Sequence, residues 1–365
     1  MLTAHGCRLR RERFWQRLGH EFTGDHVRLA DPIHLTYLAN FHVEPISLNA
    51  GFGASLILRR DGHTRLIHDD CQASYAAAAH VDERTVAPWY DGRSPGKGPR
   101  QLALVGDVNP AHTGLRIHDR PGDPNACAVV NTLAQMRRQK DADEIAGLNK
   151  CMRATEAGHA WARGNVKPGM SELDVYAGVV AACTGTAGRP VIVYGDFAVS
   201  PGPSRRGGPP TARVLEPGDM MIIDYSVVLN GYRSDFTNTL VVAGKEPTPE
   251  QRRLHDLCVK AMAAGEKELR AGAACKTVRD AVNDVFDRKG MAGHFGHHAG
   301  HGLGLTHPEA PFFVEHADET LLADDVVTLE PGLYVDGVGG IRIEHNYHVT
   351  AAGYERLSHH EIVLR

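Results

Sequence analysis

The 365-residue sequence has no Cys-x-x-Cys pair; its 7 cysteines, Cys7, Cys71, Cys127, Cys151, Cys183, Cys258 and Cys275, are scattered and odd in number. That distribution argues against a disulfide framework, suits a reducing cytosol, and points to buried or incidental thiols. A basic excess is also missing: with a net charge of -4, the chain has no field to hold phosphate backbones, and no nucleic-acid partner is expected. Apolar runs such as Met220 to Ile223 are far too short to cross a bilayer, so no membrane partner is expected either. Met1 to Leu18 is crowded with Arg8, Arg10, Arg11, Glu12, Arg13 and Arg17 and offers no apolar core for a signal segment. The expectation is a cytoplasmic protein. There is no internal repeat and no low-complexity tail.

What is present reads as an ordinary globular chain. A hydrophobic share of 42% and a charged share of 23% lie near the globular average, and the length favours two domains over one core. The first third alternates short extended runs, Ser55 to Arg59 and Gln101 to Val105, with Gly, Pro and Asp punctuation, as in an α/β domain. Asp91 to Arg100 reads as a loop within it. Helical spacing then dominates: Ile145, Leu148, Met152 and Ala157 mark a helix over Ala142 to Gly164. Further helices are expected at Ser171 to Cys183, with Ser171 as N-cap, at Pro249 to Ala271 and at Val278 to Lys289. Strands are expected at Val191 to Tyr194, Met220 to Leu229, Tyr232 to Val242, Val326 to Leu329 and Ile341 to Val349. The boundary falls near Gln135 to Lys140, giving domains 1–135 and 136–365.

Asn230-Gly231 is the favoured pair for a tight hairpin turn, and it allows the register to be counted. Leu229 then opposes Tyr232, Val227 opposes Ser234, and Ser226 opposes Asp235. Asp224 lies two residues from Ser226, so Asp224 and Asp235 share one face as diagonal neighbours. Like charges that close raise one pKa unless a cation lies between them. The alternative is two aspartates at strand ends in water.

Downstream, His297-His-Ala-Gly-His-Gly-Leu-Gly-Leu-Thr-His307 packs four histidines among glycines, which suits either an imidazole ligand or a solvated loop. Glu330 ends the apolar run Val326 to Leu329, and Glu344 follows Ile341-Arg-Ile343. A carboxylate in either place is costly unless paired or metal-bound, and for Glu344 the alternative is a salt bridge to Arg342. Four carboxylates and one imidazole form a hard donor set, suited to Mn²⁺ or Fe²⁺ and used also by Zn²⁺ or Co²⁺. Two divalent ions would balance the charge and could activate a bridging water as hydroxide.

These segments resemble the pita-bread metallopeptidases, the group of Xaa-Pro aminopeptidase, prolidase and methionine aminopeptidase with creatinase as a metal-free relative. The resemblance rests on Asp224, Asp235 within Gly231-Tyr-Arg-Ser-Asp-Phe-Thr237, Gly300-His-Gly-Leu-Gly304, Glu330-Pro-Gly-Leu-Tyr334 and Arg342-Ile-Glu344, in order, and covers most of the chain. It implies an α+β fold: a pita-bread catalytic domain preceded by a smaller α/β creatinase-type domain. It implies that Asp224 chelates one metal, that His301 and Glu330 hold the other, and that Asp235 and Glu344 bridge both. Two divalent ions, Mn²⁺ first, a small peptide or amide substrate and a homodimer follow from it. The expected reaction is amide hydrolysis N-terminal to proline, with Glu344 or His307 moving protons.

Two departures from the group's pattern bear on the substrate. Many members carry Gly-His-Gly-x-Gly-x-x-x-His-Glu, whereas here the second histidine arrives one residue early as His307, with Pro308 in its usual place. The histidine usual upstream of the first aspartate falls around Gly207, and none is there; Arg205 and Arg206 are nearby cations. His297, His298, His345 and His348 are read as structural or exposed rather than catalytic. A hydrolase or lyase acting on a small non-peptide C–N bond, like creatinase or ectoine hydrolase, is the alternative, and a non-catalytic binding protein a third.

Overall fold

A computed structural model describes residues 1–19, 22–48, 53–95, 117–200 and 207–365. They divide into two compact units, Met1–Arg137 and Arg138–Arg365. The expected strand Gln101 to Val105, the end of the loop at Asp91 to Arg100, and Arg205 and Arg206 lie outside the described residues. No described helix is long and apolar enough to cross a membrane.

The first unit opens with helix α1 (Ala4–Leu18), for which the apolar pattern makes no case. Its buried face, Gly6, Cys7, Arg10, Phe14 and Leu18, carries an arginine where an apolar residue would reveal the period. Arg10 is accommodated because its Nε donates to the Tyr37 carbonyl at 2.8 Å. Strands β1 (His26–Leu29), β2 (Ala54–Arg59), β3 (Thr64–Asp69) and β4 (Glu83–Ala87) form one sheet in that order. Pairing is antiparallel except for β3 with β4. Helices α2 (Pro32–Ala39) and α3 (Ala73–Ala77) belong to this unit, and α4 (Ala126–Arg138) runs to its end.

Helix α5 (Ala142–Asn165) opens the second unit with a reciprocal cap between Asp141 and Glu144. Ser171 caps α6 (Glu172–Ala187), which stops at Gly188 with φ 64°. Thr248 and Gln251 cap α7 (Pro249–Glu266). That helix ends short of Ala271, because the chain tightens into i+3 turns, Glu268 N to Gly265 O and Leu269 N to Glu266 O. Helix α8 (Cys275–Asp287) buries Cys275, Val278, Val282 and Phe286, one apolar stripe at helical spacing. The stripe packs with Leu254, Leu257 and Cys258 of α7 and with Val327, Leu329, Tyr347 and Val349 in the core that backs the ligand-bearing strands.

Strand β6 (Met220–Leu229) pairs with β5 (Ile192–Ser200) on one side and with β7 (Tyr232–Arg233) and β8 (Phe236–Val241) on the other. Leu229 faces Tyr232 and Asp224 faces Thr237, the register counted from the turn, whose residues Asn230 and Gly231 have φ 51° and 84°. A second sheet runs β10 (Glu309–Phe312), β9 (His301–Gly302), β11 (Val326–Leu329), β14 (His345–Val349) and β15 (Tyr354–Arg356), beside the pair β12 (Gly332–Val335) and β13 (Gly339–Arg342). Two of the expected strands, Tyr232 to Val242 and Ile341 to Val349, are interrupted, at Ser234–Asp235 and at Ile343–Glu344. There the backbone bonds elsewhere: Asp235 N–H donates to Asn346 Oδ1, and Glu344 N–H to the Thr237 carbonyl.

One buried base gives this unit a pH signature. The His159 ring stacks on Tyr225, Phe236 and His360 at 4.9, 5.3 and 4.7 Å between centroids, and its Nε2 donates to the Phe236 carbonyl. Burial pushes its pKa down from 6.5 to about 4. Between those values the unfolded chain binds the extra proton, so stability is full above pH 6.5 and falls as pH drops toward 4. Urea unfolding across that window is expected to show a shallower decline for His159→Phe; an identical slope contradicts this origin.

Candidate metal centre

Asp224 sits in the middle of a buried strand, facing Thr237 on β8 and Asp196 on β5. Two carboxylates face to face across a ladder need a cation, and Arg342 supplies one. Its Nε donates to Asp224 Oδ2 at 2.8 Å, one Nη donates to both Asp224 and Asp196, and the other donates to the Tyr334 hydroxyl at 2.8 Å. The salt bridge considered for Glu344 therefore is not what forms: Arg342 directs these donors at Asp224, Asp196 and Tyr334 instead.

Glu344 takes its support from Thr237, whose hydroxyl donates to Oε2 at 2.7 Å. Its Oε1 is buried without a hydrogen-bond partner. Asp235 is gripped through its backbone, since the Asn346 side chain accepts from its N–H and donates to its carbonyl. Ligand atoms of Asp224, Asp235 and Glu344 lie within 4.8 Å of one another. Strands ending in water, the other reading of the aspartates, do not describe this arrangement.

The imidazole side is built by a close approach of two chains. A Cβ on Gly300 would lie 2.2 Å from the Thr328 carbonyl, so only glycine lets His301 reach its place. The Thr328 hydroxyl accepts from His301 N–H and donates toward Glu330 Oε1 at 3.4 Å. His301 Nδ1 faces the Gly302 carbonyl at 2.9 Å, which places the proton there and leaves the Nε2 lone pair facing the carboxylates. That Nε2 is 3.5 Å from both Asp235 Oδ2 and Glu330 Oε1. All five expected ligands thus line one face, and His307 joins them: its Nε2 is 2.7 Å from Asp235 Oδ2.

With protein charges alone this centre is unbalanced. Burial, then the charges of Asp235 and Asp224, push Glu344 well above the ordinary carboxylate range. Burial also lifts Asp224 to about 6; Arg342 opposes and Asp235 reinforces that shift. Burial acts the same way on Glu330, but the His298 hydrogen bond and the charges of His301 and His298 outweigh it and hold Glu330 low. The orphaned Glu344 oxygen and an oxygen-rich donor set around one imidazole are what divalent cations require.

A cavity of about 590 Å³ opens over this cluster, lined among others by Tyr194, Asp196, His297, His298, Pro308 and Tyr334. Tyr334 donates to His297 Nε2 at 3.1 Å, while His297 Nδ1 is held by the His298 carbonyl at 2.8 Å. His345 faces away, its Nδ1 on the Ser358 hydroxyl, and His348 pairs with Asp324. The sequence reading misses Asp196, Arg342 and Tyr334. The signal for Asp196 was available: an aspartate between Val193 and Phe197 breaks an apolar strand. A Cβ on Gly207, near which the family resemblance leads a histidine to be expected, would lie 1.9 Å from Asp196 Oδ2, so that carboxylate occupies the space a side chain would need.

Residues 146–351 match the model of metallopeptidase family M24, Peptidase_M24. The chain belongs to family M24. An M24 metallopeptidase uses divalent metal ions, and the donor set above fits them. Among curated relatives, the "Putative dipeptidase YkvY" of Bacillus subtilis is 31% identical over 258 residues, 69% of this chain and 69% of that protein. An uncharacterized peptidase of Staphylococcus aureus is 30% identical over 239 residues, 63% of this chain and 65% of its own length, just under two thirds. Among solved structures, an Xaa-Pro dipeptidase from Bacillus anthracis superposes with TM-score 0.76 at 22% identity, covering 98% of this chain and 99% of that one. Dipeptidase PepE from Mycobacterium ulcerans gives 0.75 at 24% identity, covering 99% and 98%. These likenesses identify the fold of this M24 chain as α+β pita-bread.

Proposed function

We propose that this M24 protein is a hydrolase with two divalent ions that cleaves an amide bond at the N-terminal side of proline, as an Xaa-Pro aminopeptidase or dipeptidase. The observation that carries the reading is the convergence of Asp224, Asp235, Glu344, His301 and Glu330 beneath one cavity, with Glu344 Oε1 buried and unpartnered. Asp224 would hold one ion, His301 and Glu330 the other, and Asp235 and Glu344 would be shared. When bound, such a pair lowers the pKa of a shared water and polarises a substrate carbonyl.

The chain's own part is to hold and orient. Thr237 holds Glu344 through Oε2, and Glu344 or His307 would take a proton from the attacking water and pass it to the leaving nitrogen. Arg342 keeps Asp224 ionised and aimed. The names of the relatives support a peptide substrate; Mn²⁺, a homodimer and a cytoplasmic location complete the proposal.

One observation favours a second reading. Asp196 fills the space beside Gly207, near which the family resemblance leads a histidine to be expected, so a small non-peptide amide or C–N substrate is the alternative. A binding protein without turnover is disfavoured by the intact donor set. Purified full-length protein should take up Mn²⁺ and release the N-terminal residue from Xaa-Pro dipeptides or tripeptides, with chelation abolishing turnover. Turnover of non-peptide amides alone would transfer the assignment to the second reading; no metal uptake and no Mn²⁺ activation would refute the first.

A further inference from the structure

His307 is not one of the five ligands, yet its Nε2 sits closer to a proposed ligand oxygen than does that of His301. It lies 2.7 Å from Asp235 Oδ2, and His301 Nε2 lies 3.5 Å from the same atom. The two imidazoles are edge to face, 4.8 Å between centroids, and ligand atoms of Asp235, His301 and His307 lie within 4.8 Å of one another. An ion bonded at roughly 2.0–2.2 Å to nitrogen and oxygen donors holds adjacent donors about 3–3.5 Å apart. The His301 spacing of 3.5 Å to Asp235 Oδ2 is of that size, and the His307 spacing of 2.7 Å falls just below it.

The placement of His307 is built rather than incidental. Two residues on, Glu309 is clamped by Lys140 Nζ at 2.9 Å, a nearly buried ion pair, and by the Thr306 hydroxyl at 2.6 Å, so the turn carrying His307 is pinned on both flanks. Tyr194 meets the ring edge on, at 6.2 Å. His298 differs. Its side chain is more exposed, 36% against 28% for His307, and its Nε2, 3.0 Å from Glu330 Oε1, can donate to and orient that ligand from the cavity side.

We propose that His307 is a sixth protein ligand, joining His301, Glu330 and the shared carboxylates on one ion, while His298 is a positioning residue for Glu330. This rests on the dinuclear reading above and deepens it. One half of the centre is then all oxygen, around Asp224, while the other carries two imidazoles and favours Co²⁺, Zn²⁺ or Fe²⁺ over Mn²⁺.

Co²⁺ titrated into chelator-treated full-length protein tests this, read by calorimetry and by X-ray absorption, which counts imidazoles per metal. Wild type should bind two Co²⁺ with two imidazoles between them. His307→Gln should lose one imidazole and weaken one Co²⁺ by about tenfold or more. His298→Gln should keep both. A wild-type count of one imidazole with two Co²⁺ bound overturns this inference alone, and so does a His307→Gln protein with unchanged count and affinity. Failure of wild type to bind Co²⁺ overturns the dinuclear reading with it. The wild-type count needs no variant to fold.

Discussion

Replacing Asp235 by Asn should abolish turnover, with a loss in kcat/KM on the order of 10³-fold or more, equivalent to about 4 kcal/mol of transition-state stabilisation. The change is nearly isosteric, and what anchors Asp235 is backbone: Asn346 holds its N–H and its carbonyl. The fold should therefore persist while the negative charge beside His301 and His307 disappears. Metal content should fall with activity, because an amide oxygen is a poor bridge between two cations. Glu344→Gln should act in the same direction. Rates unchanged in Asp235→Asn would refute its role as a shared ligand.

Arg342→Gln should have the largest effect on stability. It removes the cation that, among the described residues, Asp224 and Asp196 share across the β5–β6 ladder, and breaking a buried pair from one side costs about 3–5 kcal/mol. Asp196 is partly exposed, so the lower end is expected. The cost should be conditional. A divalent ion on Asp224 replaces part of the missing positive charge, and binding to the native state alone stabilises it by mass action. Urea unfolding with and without excess Mn²⁺ should thus show a wider gap for Arg342→Gln than for wild type. Equal gaps would mean that Arg342 and the metal do not act on the same carboxylate.

The parts of this molecule that were legible in the sequence are those governed by short-range rules. Asn230-Gly231 sets the hairpin, and the register of Asp224 against Thr237 follows by counting. Ser171 and the helix periods behave alike, because caps and apolar stripes are local. Where the sequence misleads, long-range partners decide. The run Tyr232 to Val242 looks continuous, yet Asn346, more than a hundred residues away, takes the backbone groups of Asp235 out of the ladder. Arg342 lies two residues from Glu344, but its guanidinium goes to Asp224 and Asp196, which no local pattern announces. Helix α1 stays hidden because Arg10 occupies its buried stripe. His307 is visible as a histidine out of its usual place, whereas its approach to Asp235 depends on the clamp from Lys140, far back in the chain.

Anomalous scattering from crystals of the Mn²⁺-loaded protein tests the central claim most directly. Two peaks about 3.5–4 Å apart are expected, the spacing of paired catalytic metals. One should lie between Asp224, Asp235 and Glu344, and the other among Asp235, Glu344, His301 and Glu330. No peak at these residues under saturating Mn²⁺, or peaks bound elsewhere, would contradict the account.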